Sequence, residues 1–222
     1  MSETLSYQIK KNRRSRSIRI NINAAGQVSV SAPWSYPDFL IKQFVNKQQA
    51  WILKQQAKAA KKQIQLKADE LLIFGQRYHI KVDTDPKLKL GVNPDAENKQ
   101  LVLRLIKGQS QQKLIERFLK NTATKYLTQK TAQLSQTMAI HYNKITIRQQ
   151  SSRWGSCSSQ GNLNFNWRLV HYPPAIINYV IIHELAHRQH LNHSAAFWQL
   201  VKKYDPHYKQ HQKILKQRLY NS

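Results

Sequence analysis

A single seven-residue stretch constrains this sequence most. Residues 181–187 read Ile-Ile-His-Glu-Leu-Ala-His, an H-E-x-x-H motif in an apolar segment compatible with a buried helix. At about 100° per residue, two histidines four positions apart project from one face of a helix, one turn apart. His183 and His187 can therefore bind one zinc ion together. Glu184 lies beside them, where it can reach a water at the metal without binding the metal itself.

The alternative interpretation of this motif is a set of hydrogen-bonded side chains with a purely structural role. Two observations favour metal binding. Between Arg117 and the C-terminus the only carboxylates are Glu184 and Asp205, so a glutamate here is not part of a charged background. Polar side chains on an otherwise apolar helix also need a partner that stabilises them.

A catalytic zinc site usually has three protein ligands, and two further histidines are candidates for the third. His190 lies on the same helical stripe as His183 but roughly 10 Å along the axis, which is too far for one ion on a straight helix. His193 works only if the helix ends first. Asn192 is a candidate left-handed stop and Ser194 a candidate N-cap for the next helix, so we favour His193 as the ligand and interpret His190 as a surface residue.

The surrounding residues resemble a known family. The run H-E-L-A-H-R-Q-H-L-N-H-S-A-A-F-W at 183–198, R-W-G-S-C at 153–157 and L-N-F-N-W-R-L at 163–169 resemble the YgjP-like metallopeptidase family, and weaker features such as R-R-S-R-S-I-R-I at 13–20 extend the resemblance over most of the chain. The family is zincin-like and similar to the SprT and Wss-type proteases. The resemblance implies a zinc peptidase whose H-E-x-x-H-x5-H pattern falls on His183, Glu184, His187 and His193.

The predicted fold class is α+β, with a β-rich N-terminal half and a long helix, followed by a compact zincin-like catalytic half that contains the H-E-x-x-H helix. We expect a β-rich region over residues 1–108 and a metallohydrolase domain over 109–222, with the loop 84–99 as the boundary between the halves. Alternating apolar residues predict strands at 18–22, 28–30, 71–74, 78–82, 101–106, 144–148 and 162–170.

Four helical segments complete the prediction. One begins near Ser35, a candidate N-cap, and a long one spans about residues 111–136. Two more run from Pro173 to about His190 and onward from Ser194. The buried side of the first helix is predicted to carry Phe39, Leu40, Phe44, Trp51 and Ile52.

Substrate contacts are predicted around the motif. By resemblance to zincins, the strand at 162–170 is expected to bind extended peptide by strand addition. Asn164 and Asn166 are candidates to face the substrate, with an ordinary solvated face of the strand as the alternative. Arg153 either orients a substrate carboxylate or phosphate or stacks on its neighbouring tryptophan in a packing corner. Tyr204 is a candidate for polarising a carbonyl oxygen, with core packing as its alternative. Cys157 is interpreted as a small buried residue.

Charge is the second distinctive property of the sequence. Lys and Arg number 36 against 11 Asp and Glu, and the net charge of +25 attracts polyanions. Basic residues cluster at Arg13, Arg14, Arg16 and Arg19, and again at Lys58, Lys61 and Lys62, so nucleic acid is a candidate partner. Two alternatives to a peptidase stay open: a nucleotide phosphohydrolase that uses the same metal site, and a basic nucleic-acid-binding protein with a structural zinc.

The remaining expectations concern environment and partners. The single cysteine excludes an intramolecular disulfide, and no apolar run has the length of a signal peptide or a membrane span. We therefore expect a cytoplasmic protein with no membrane partner. One Zn²⁺ per chain and a peptide or protein substrate complete the prediction, and the oligomeric state is left open.

Overall fold

The computed structural model describes residues 5–22, 26–62, 66–83, 89–150 and 153–217 of the chain. The chain divides into two compact units. The first comprises residues 1–65 together with 216–222, and the second comprises residues 66–215.

The first unit packs two helices against a three-stranded sheet. Its elements are β1 (Tyr7–Asn12), β2 (Arg19–Ile22), β3 (Val28–Pro33), α1 (Asp38–Lys47) and α2 (Gln49–Lys62). The sheet order is β1-β3-β2, with β1 parallel and β2 antiparallel to β3. Alternate residues of β3 face the core, as the period of a strand requires. The core consists of Val28, Val30, Ala32, Ile41, Val45 and Ile52.

The predicted buried side of the first helix is wrong in part. Of the five residues predicted, Ile52 is fully buried, whereas Phe39 is 67% and Trp51 45% exposed. The helix begins later than predicted, with Pro37 rather than Ser35 at the N-cap position, and the chain breaks into α1 and α2 around Gln48. The buried stripe therefore passes through Ile41 and Val45. The lysines at 58, 61 and 62 lie in α2, and their side chains fall outside the described part.

The second unit begins with a four-stranded sheet of order β4-β5-β7-β6. Its strands are β4 (Glu70–Ile73), β5 (Gln76–Val82), β6 (Gly91–Asp95) and β7 (Gln100–Arg104). Gly75, at φ +77°, lies in the turn between β4 and β5, and a Cβ placed there would lie 2.6 Å from Cγ of Pro173. This close approach fixes the turn against the start of the helix that carries the motif.

The rest of the second unit contains the long helix, a second three-stranded sheet and the C-terminal helices. The long helix α3 (Gln111–Met138) starts at Ser110, whose hydroxyl accepts a hydrogen bond from the Lys113 amide. The sheet has the order β8-β10-β9. The remaining elements are β8 (Lys144–Arg148), β9 (Gly155–Cys157), β10 (Asn162–Asn166), a 3₁₀ helix (Trp167–His171), α4 (Pro174–Ala186), α5 (Ala195–Tyr204) and α6 (Tyr208–Gln217).

The predicted α+β fold is confirmed, because sheets in the N-terminal half precede a long helix and the helix of the motif. This arrangement is consistent with a zincin-like metallopeptidase fold. The predicted strand over 162–170 ends at Asn166, where the Asn166 side chain caps the 3₁₀ helix by accepting a bond from the Arg168 amide. The boundary predicted at 108/109 falls inside the second unit. There the Phe74 amide bonds the Val170 carbonyl, which ties the β4–β5 turn to the 3₁₀ helix.

No helix in the described ranges combines the length and apolar character that a bilayer span requires.

Candidate metal centre

Helix α4 carries the first two histidines of the motif at its C-terminal end. Ile181, Ile182 and Leu185 are buried beside them, so the apolar sequence packs the helix into the core. The helix ends at Ala186, four residues earlier than predicted, and His187 is its C-cap. The Arg188 amide bonds the Leu185 carbonyl and the Gln189 amide bonds the Ala186 carbonyl, so the last turn tightens into i to i+3 bonds.

The early end of α4 lets the chain return to the metal-binding face. Asn192 is not among the described non-glycine residues with positive φ, so the predicted left-handed stop there is wrong. The tightened turn at residues 187–190 reverses the chain instead. Helix α5 then begins as predicted at Ser194, whose hydroxyl accepts a bond from the Phe197 amide.

The three predicted histidines converge. The Nε2 atoms of His183 and His193 lie 3.1 Å apart, and one ring nitrogen from each of His183, His187 and His193 lies within 4.8 Å of the others. Two Zn–N bonds of about 2.0–2.1 Å in a tetrahedral arrangement separate their nitrogens by roughly 3.4 Å. In the described ranges this is the one group of three or more His, Cys, Asp or Glu residues so placed. The donor set therefore fits a single zinc-sized ion.

Backbone and aromatic groups orient the rings. The Nδ1 of His187 lies 3.1 Å from the His190 carbonyl oxygen, which leaves Nε2 of His187 free for a metal. The Nδ1 of His183 is buried with no hydrogen-bond partner among the described residues, so packing positions that ring. Fully buried Phe197 lies beneath all three rings, at centroid distances of 4.9 Å from His183, 4.7 Å from His187 and 4.8 Å from His193.

The electrostatics keep the imidazoles in the form that binds metal. Burial, together with the neighbouring His187 and His193, lowers the pKa of His183 to about 3. Burial also lowers the pKa of His187, against the hydrogen bond to the His190 carbonyl. A neutral imidazole has the lone pair that a metal needs, so no proton must leave these two rings at neutral pH.

Glu184 lies on the same helix, 6% exposed, with its carboxyl group against strand β9. A Cβ placed on Gly155 would lie 2.6 Å from Oε1 of Glu184, so only a glycine leaves room for the carboxyl group. Burial raises the pKa of Glu184 to about 8, and the positive charge of Arg153 opposes that rise. The carboxyl group of Glu184 is therefore buried, and the exposed guanidinium group of Arg153 lies close enough to influence its pKa.

Comparison with protein-family models places this geometry in a known family. The model described as YgjP-like, metallopeptidase domain, matches residues 16–218. The chain belongs to the YgjP-like metallopeptidase family. The protein is therefore a hydrolase of peptides or proteins, and the family implies a metal ion at its site.

Two solved structures are similar to part of this YgjP-like chain. They are the metallopeptidase zymogens of Pyrococcus abyssi abylysin and of Methanocaldococcus jannaschii jannalysin. Each is 20% identical to this chain, and each match covers 42% of this chain. The match covers 94% of abylysin with a TM-score of 0.39 and 97% of jannalysin with a TM-score of 0.38. No match was found among curated proteins.

The strand predicted to add substrate, β10, has no unpaired edge in the structure. Strand β10 lies in the centre of its sheet, parallel to β8 on one side and antiparallel to β9 on the other, so its backbone groups are already paired. The short strand β9 is at the edge and packs against α4. The Asn166 amide bonds the Trp154 carbonyl, and the Ser158 amide bonds the Asn162 carbonyl. Antiparallel alternation therefore turns the backbone groups of Gly155 and Cys157 away from β10.

The structure places the predicted substrate residues in different environments. Asn166 is 3% exposed, and its amide group donates to the Gln150 carbonyl at 2.7 Å, so it ties the end of β10 to Gln150. Asn164 is half-buried and donates to the Ser156 hydroxyl at 3.3 Å. Arg153 is exposed near Glu184, and it is the neighbouring Trp154 that packs, edge-on to buried Tyr172 at 5.0 Å. Substrate contact by these residues stays a prediction.

Tyr204 ends α5, with the Lys203 ammonium 5.3 Å from its ring centroid. Besides the histidines themselves, three described aromatic residues pack on the imidazole rings: Tyr179, Phe197 and Trp198. Tyr204 is not one of them, so the structure does not bring its ring to the three histidines. Cys157 is half-buried, and burial together with the Glu184 charge raises the pKa of its thiol.

Sequence reasoning missed two contributions to the site. The His190 carbonyl orients His187, although the His190 side chain was interpreted as a surface group, because a backbone role leaves no signal in residue type. The sequence identifies Gly155 only as part of the R-W-G-S-C run at 153–157. A glycine inside a strand can mark a close approach, and that signal was available.

Proposed function

We propose that the protein is a zinc-dependent peptidase in which His183, His187 and His193 hold one zinc ion and Glu184 is the general base. The observation that supports it is the convergence of three ring nitrogens within 4.8 Å, with a buried glutamate next to the first. When bound, a zinc ion supplies Lewis-acid chemistry that acidifies a water molecule and polarises a carbonyl group.

Glu184 performs the proton transfers in this proposal. Its carboxylate accepts a proton from the attacking water and later donates it to the nitrogen of the departing amine. The contact between Gly155 and the Glu184 carboxyl group keeps that group in one orientation, and burial excludes competing solvent. A cation on the histidines would favour the ionised form of the carboxyl group, which the base step requires.

We further propose that the substrate backbone pairs with β9. The N–H and C=O groups of Gly155 and Cys157 point toward the open edge of the sheet, and Gly155 contacts the catalytic glutamate. An extended peptide that adds to this edge passes directly by Glu184. The exposed Arg153, just before β9, is then placed to meet a carboxylate on the substrate.

The decisive experiment measures metal content and hydrolysis on the same preparations. We expect the purified protein to contain one zinc per chain and to hydrolyse casein, with activity lost to a chelator. Glu184→Gln should retain zinc while kcat falls by about 10²–10⁴-fold. The matched control is Glu116→Gln, because Glu116 is a carboxylate on α3 paired with Lys120 at 2.7 Å.

His193→Ala should lose zinc under conditions where the wild-type chain retains it. Nucleoside triphosphates and a DNA oligonucleotide serve as parallel test ligands. Zinc-dependent release of phosphate without casein hydrolysis would contradict the proposed peptidase activity and indicate a phosphohydrolase. Full zinc retention in His193→Ala would show that His193 is not the third ligand. Salt-sensitive DNA binding with no hydrolysis at all would favour the nucleic-acid-binding protein with a structural zinc.

A further inference from the structure

The third histidine differs from the other two in how it is supported. His183 and His187 lie on or at the end of a buried helix, whereas His193 is an exposed residue on the segment between α4 and α5. Its Nε2 meets His183. As for His183, no hydrogen bond joins its Nδ1 to another described residue, but His193 also lacks the burial that positions the His183 ring. A metal ligand normally has a partner that fixes the orientation of its ring. For His193 that partner must be something other than a hydrogen bond.

An aromatic column supplies the support. The indole of Trp198 stacks on the His193 ring, with centroids 5.5 Å apart and planes 22° apart. On its other side Trp198 stacks on Tyr208, at 5.2 Å and 20°. The three near-parallel rings run from the metal site to the start of α6. Phe197 meets His193 edge-on at 82°, so two sides of the imidazole are held by aromatic groups.

The base of the column is fixed by a buried carboxylate. Asp205, 7% exposed, lies between α5 and α6 and accepts a bond from the His207 amide at 3.1 Å. Its other oxygen lies 2.7 Å from Nδ1 of His211, and its carbonyl accepts from the Tyr208 amide. These bonds set the turn into α6, and that turn places Tyr208 under Trp198. The column therefore rests on a defined corner of the chain.

We propose that Trp198 is a positioning residue that holds His193 in the orientation needed to bind the metal. Free rotation of an exposed imidazole costs entropy on metal binding, and a stacked indole restricts that rotation beforehand. Removing the indole lets His193 turn into solvent, which weakens metal binding and speeds metal release. The inference rests on the proposed function, because it assumes that the three histidines bind an ion.

The test uses Co²⁺, whose visible absorption reports coordination number, together with Zn²⁺ competition on the full chain. We expect the wild-type chain to bind one Co²⁺ with the strong absorption of a four-coordinate site. Trp198→Ala should bind zinc about 10–100-fold more weakly, the usual effect of losing an outer partner of a ligand. Its Co²⁺ spectrum should lose intensity because the site gains solvent ligands. Trp198→Phe should recover most of the affinity, since a phenyl ring can still stack.

Two further variants separate stacking from bulk. Trp198→Leu fills space without a planar face and should behave like Trp198→Ala. Trp51→Ala removes a 45% exposed tryptophan from α2 in the first unit and should leave Co²⁺ and Zn²⁺ binding unchanged. Wild-type affinity in Trp198→Ala, or equal affinities for the Phe and Leu variants, would overturn the inference while leaving the zinc site intact. If the Ala variant does not fold, the Phe and Leu pair decides. A wild-type chain that binds no ion would overturn the proposed function, and the inference with it.

Discussion

Three sheets of this molecule contain the same arrangement of strands, and the sheet centred on β10 has an edge strand that contacts Glu184. In the first unit β3 lies between a parallel β1 and an antiparallel β2, and in the second unit β10 lies between a parallel β8 and an antiparallel β9. Strands β5, β6 and β7 repeat the pattern, with β7 in the centre. Shared topology therefore does not by itself produce a site.

The difference lies in the side chains of one edge strand. Residues paired across a ladder share a face, so Ile20 and Ile22 of β2 face the core with Val30 and Val28. At the matching positions of β9 stand Gly155 and Cys157, paired with Phe165 and Leu163. Where the first sheet places branched apolar side chains, the second leaves space, and the Glu184 carboxyl group occupies it. The two sheets share an arrangement of strands, and the sheet that contacts the motif glutamate has no side chain at Gly155 of its edge strand.

Among changes to the sheets, the largest effect is expected from restoring side-chain volume at Gly155. Gly155→Ala puts a Cβ 2.6 Å from Oε1 of Glu184, and the carboxyl group must move. A displacement of about 1 Å at a reacting group can cost roughly 100-fold in rate, so we expect kcat/KM on a peptide to fall by that order. Zinc affinity should stay unchanged, because the three atoms nearest the added Cβ all belong to Glu184 and not to a proposed ligand. Kinetics and metal titration on the same preparation check both statements.

The control for Gly155→Ala is its neighbour on the opposite face. Ser156 accepts a hydrogen bond from the Asn164 amide group, so Ser156→Ala alters β9 without approaching Glu184. It should retain most of the activity. Equal losses in the two variants would mean that β9 tolerates no change at all, and the proposed role of the glycine gap would be lost.

The next prediction concerns the turn that joins β1 and β2 of the first sheet. Arg13, Arg14 and Arg16 are exposed on the turn between β1 and β2, and Arg13 lies 5.8 Å from the ring of exposed Trp34. Cations beside an exposed aromatic ring suit single-stranded nucleic acid. We expect salt-dependent binding of an oligonucleotide. Replacing the three arginines by glutamine should reduce the slope of log affinity against log salt by about 2.

The triple arginine variant tests whether oligonucleotide binding and peptide hydrolysis depend on different units of the chain. Peptide hydrolysis by the triple variant should match wild type, because the proposed catalytic residues all lie in the second unit. Replacing Lys113, Lys125 and Lys130 of α3 by glutamine removes the same charge from the second unit and is the matched control. An equal loss of oligonucleotide binding in both variants would indicate that net charge alone, rather than this turn, attracts nucleic acid.

How far the sequence predicts this site depends on the distance over which residues interact. The positions of His183, Glu184 and His187 follow from the period of one helix, and the return of His193 follows from the need to end that helix. These are local arguments, and the structure brings the three histidines together. The contact of Gly155 with Glu184 joins residues 29 positions apart through the packing of β9 against α4, which no local period encodes. The same holds for the central position of β10, because sheet order is set by tertiary contacts.

A smaller effect tests whether the first unit affects the metal centre. Ile41 is fully buried in the core of the first unit, and Ile41→Val should lower its free energy of unfolding by about 0.5–1.5 kcal/mol. We expect zinc affinity and peptide hydrolysis to be unchanged below the unfolding transition. Calorimetry with and without zinc measures both units in one sample. A weaker zinc affinity in Ile41→Val would show that the first unit contributes to zinc binding, so that the two sheets could not be treated as independent.

The smallest expected effect extends the comparison to the sheet that carries β4. The Nδ1 of His171 lies 2.8 Å from the Leu72 carbonyl oxygen, and burial lowers the pKa of His171 despite that bond. The unfolded chain therefore binds more protons than the folded chain as the pH falls through about 6.5, the ordinary value for histidine. Stability is retained above that pH and declines below it, down to the folded pKa. His171→Gln keeps a neutral donor for the Leu72 carbonyl but cannot titrate. Between pH 7 and pH 5, the free energy of unfolding of His171→Gln should fall less than that of the wild-type protein, as measured by urea denaturation with zinc present. An identical pH dependence in the two proteins would assign the acid sensitivity to another group.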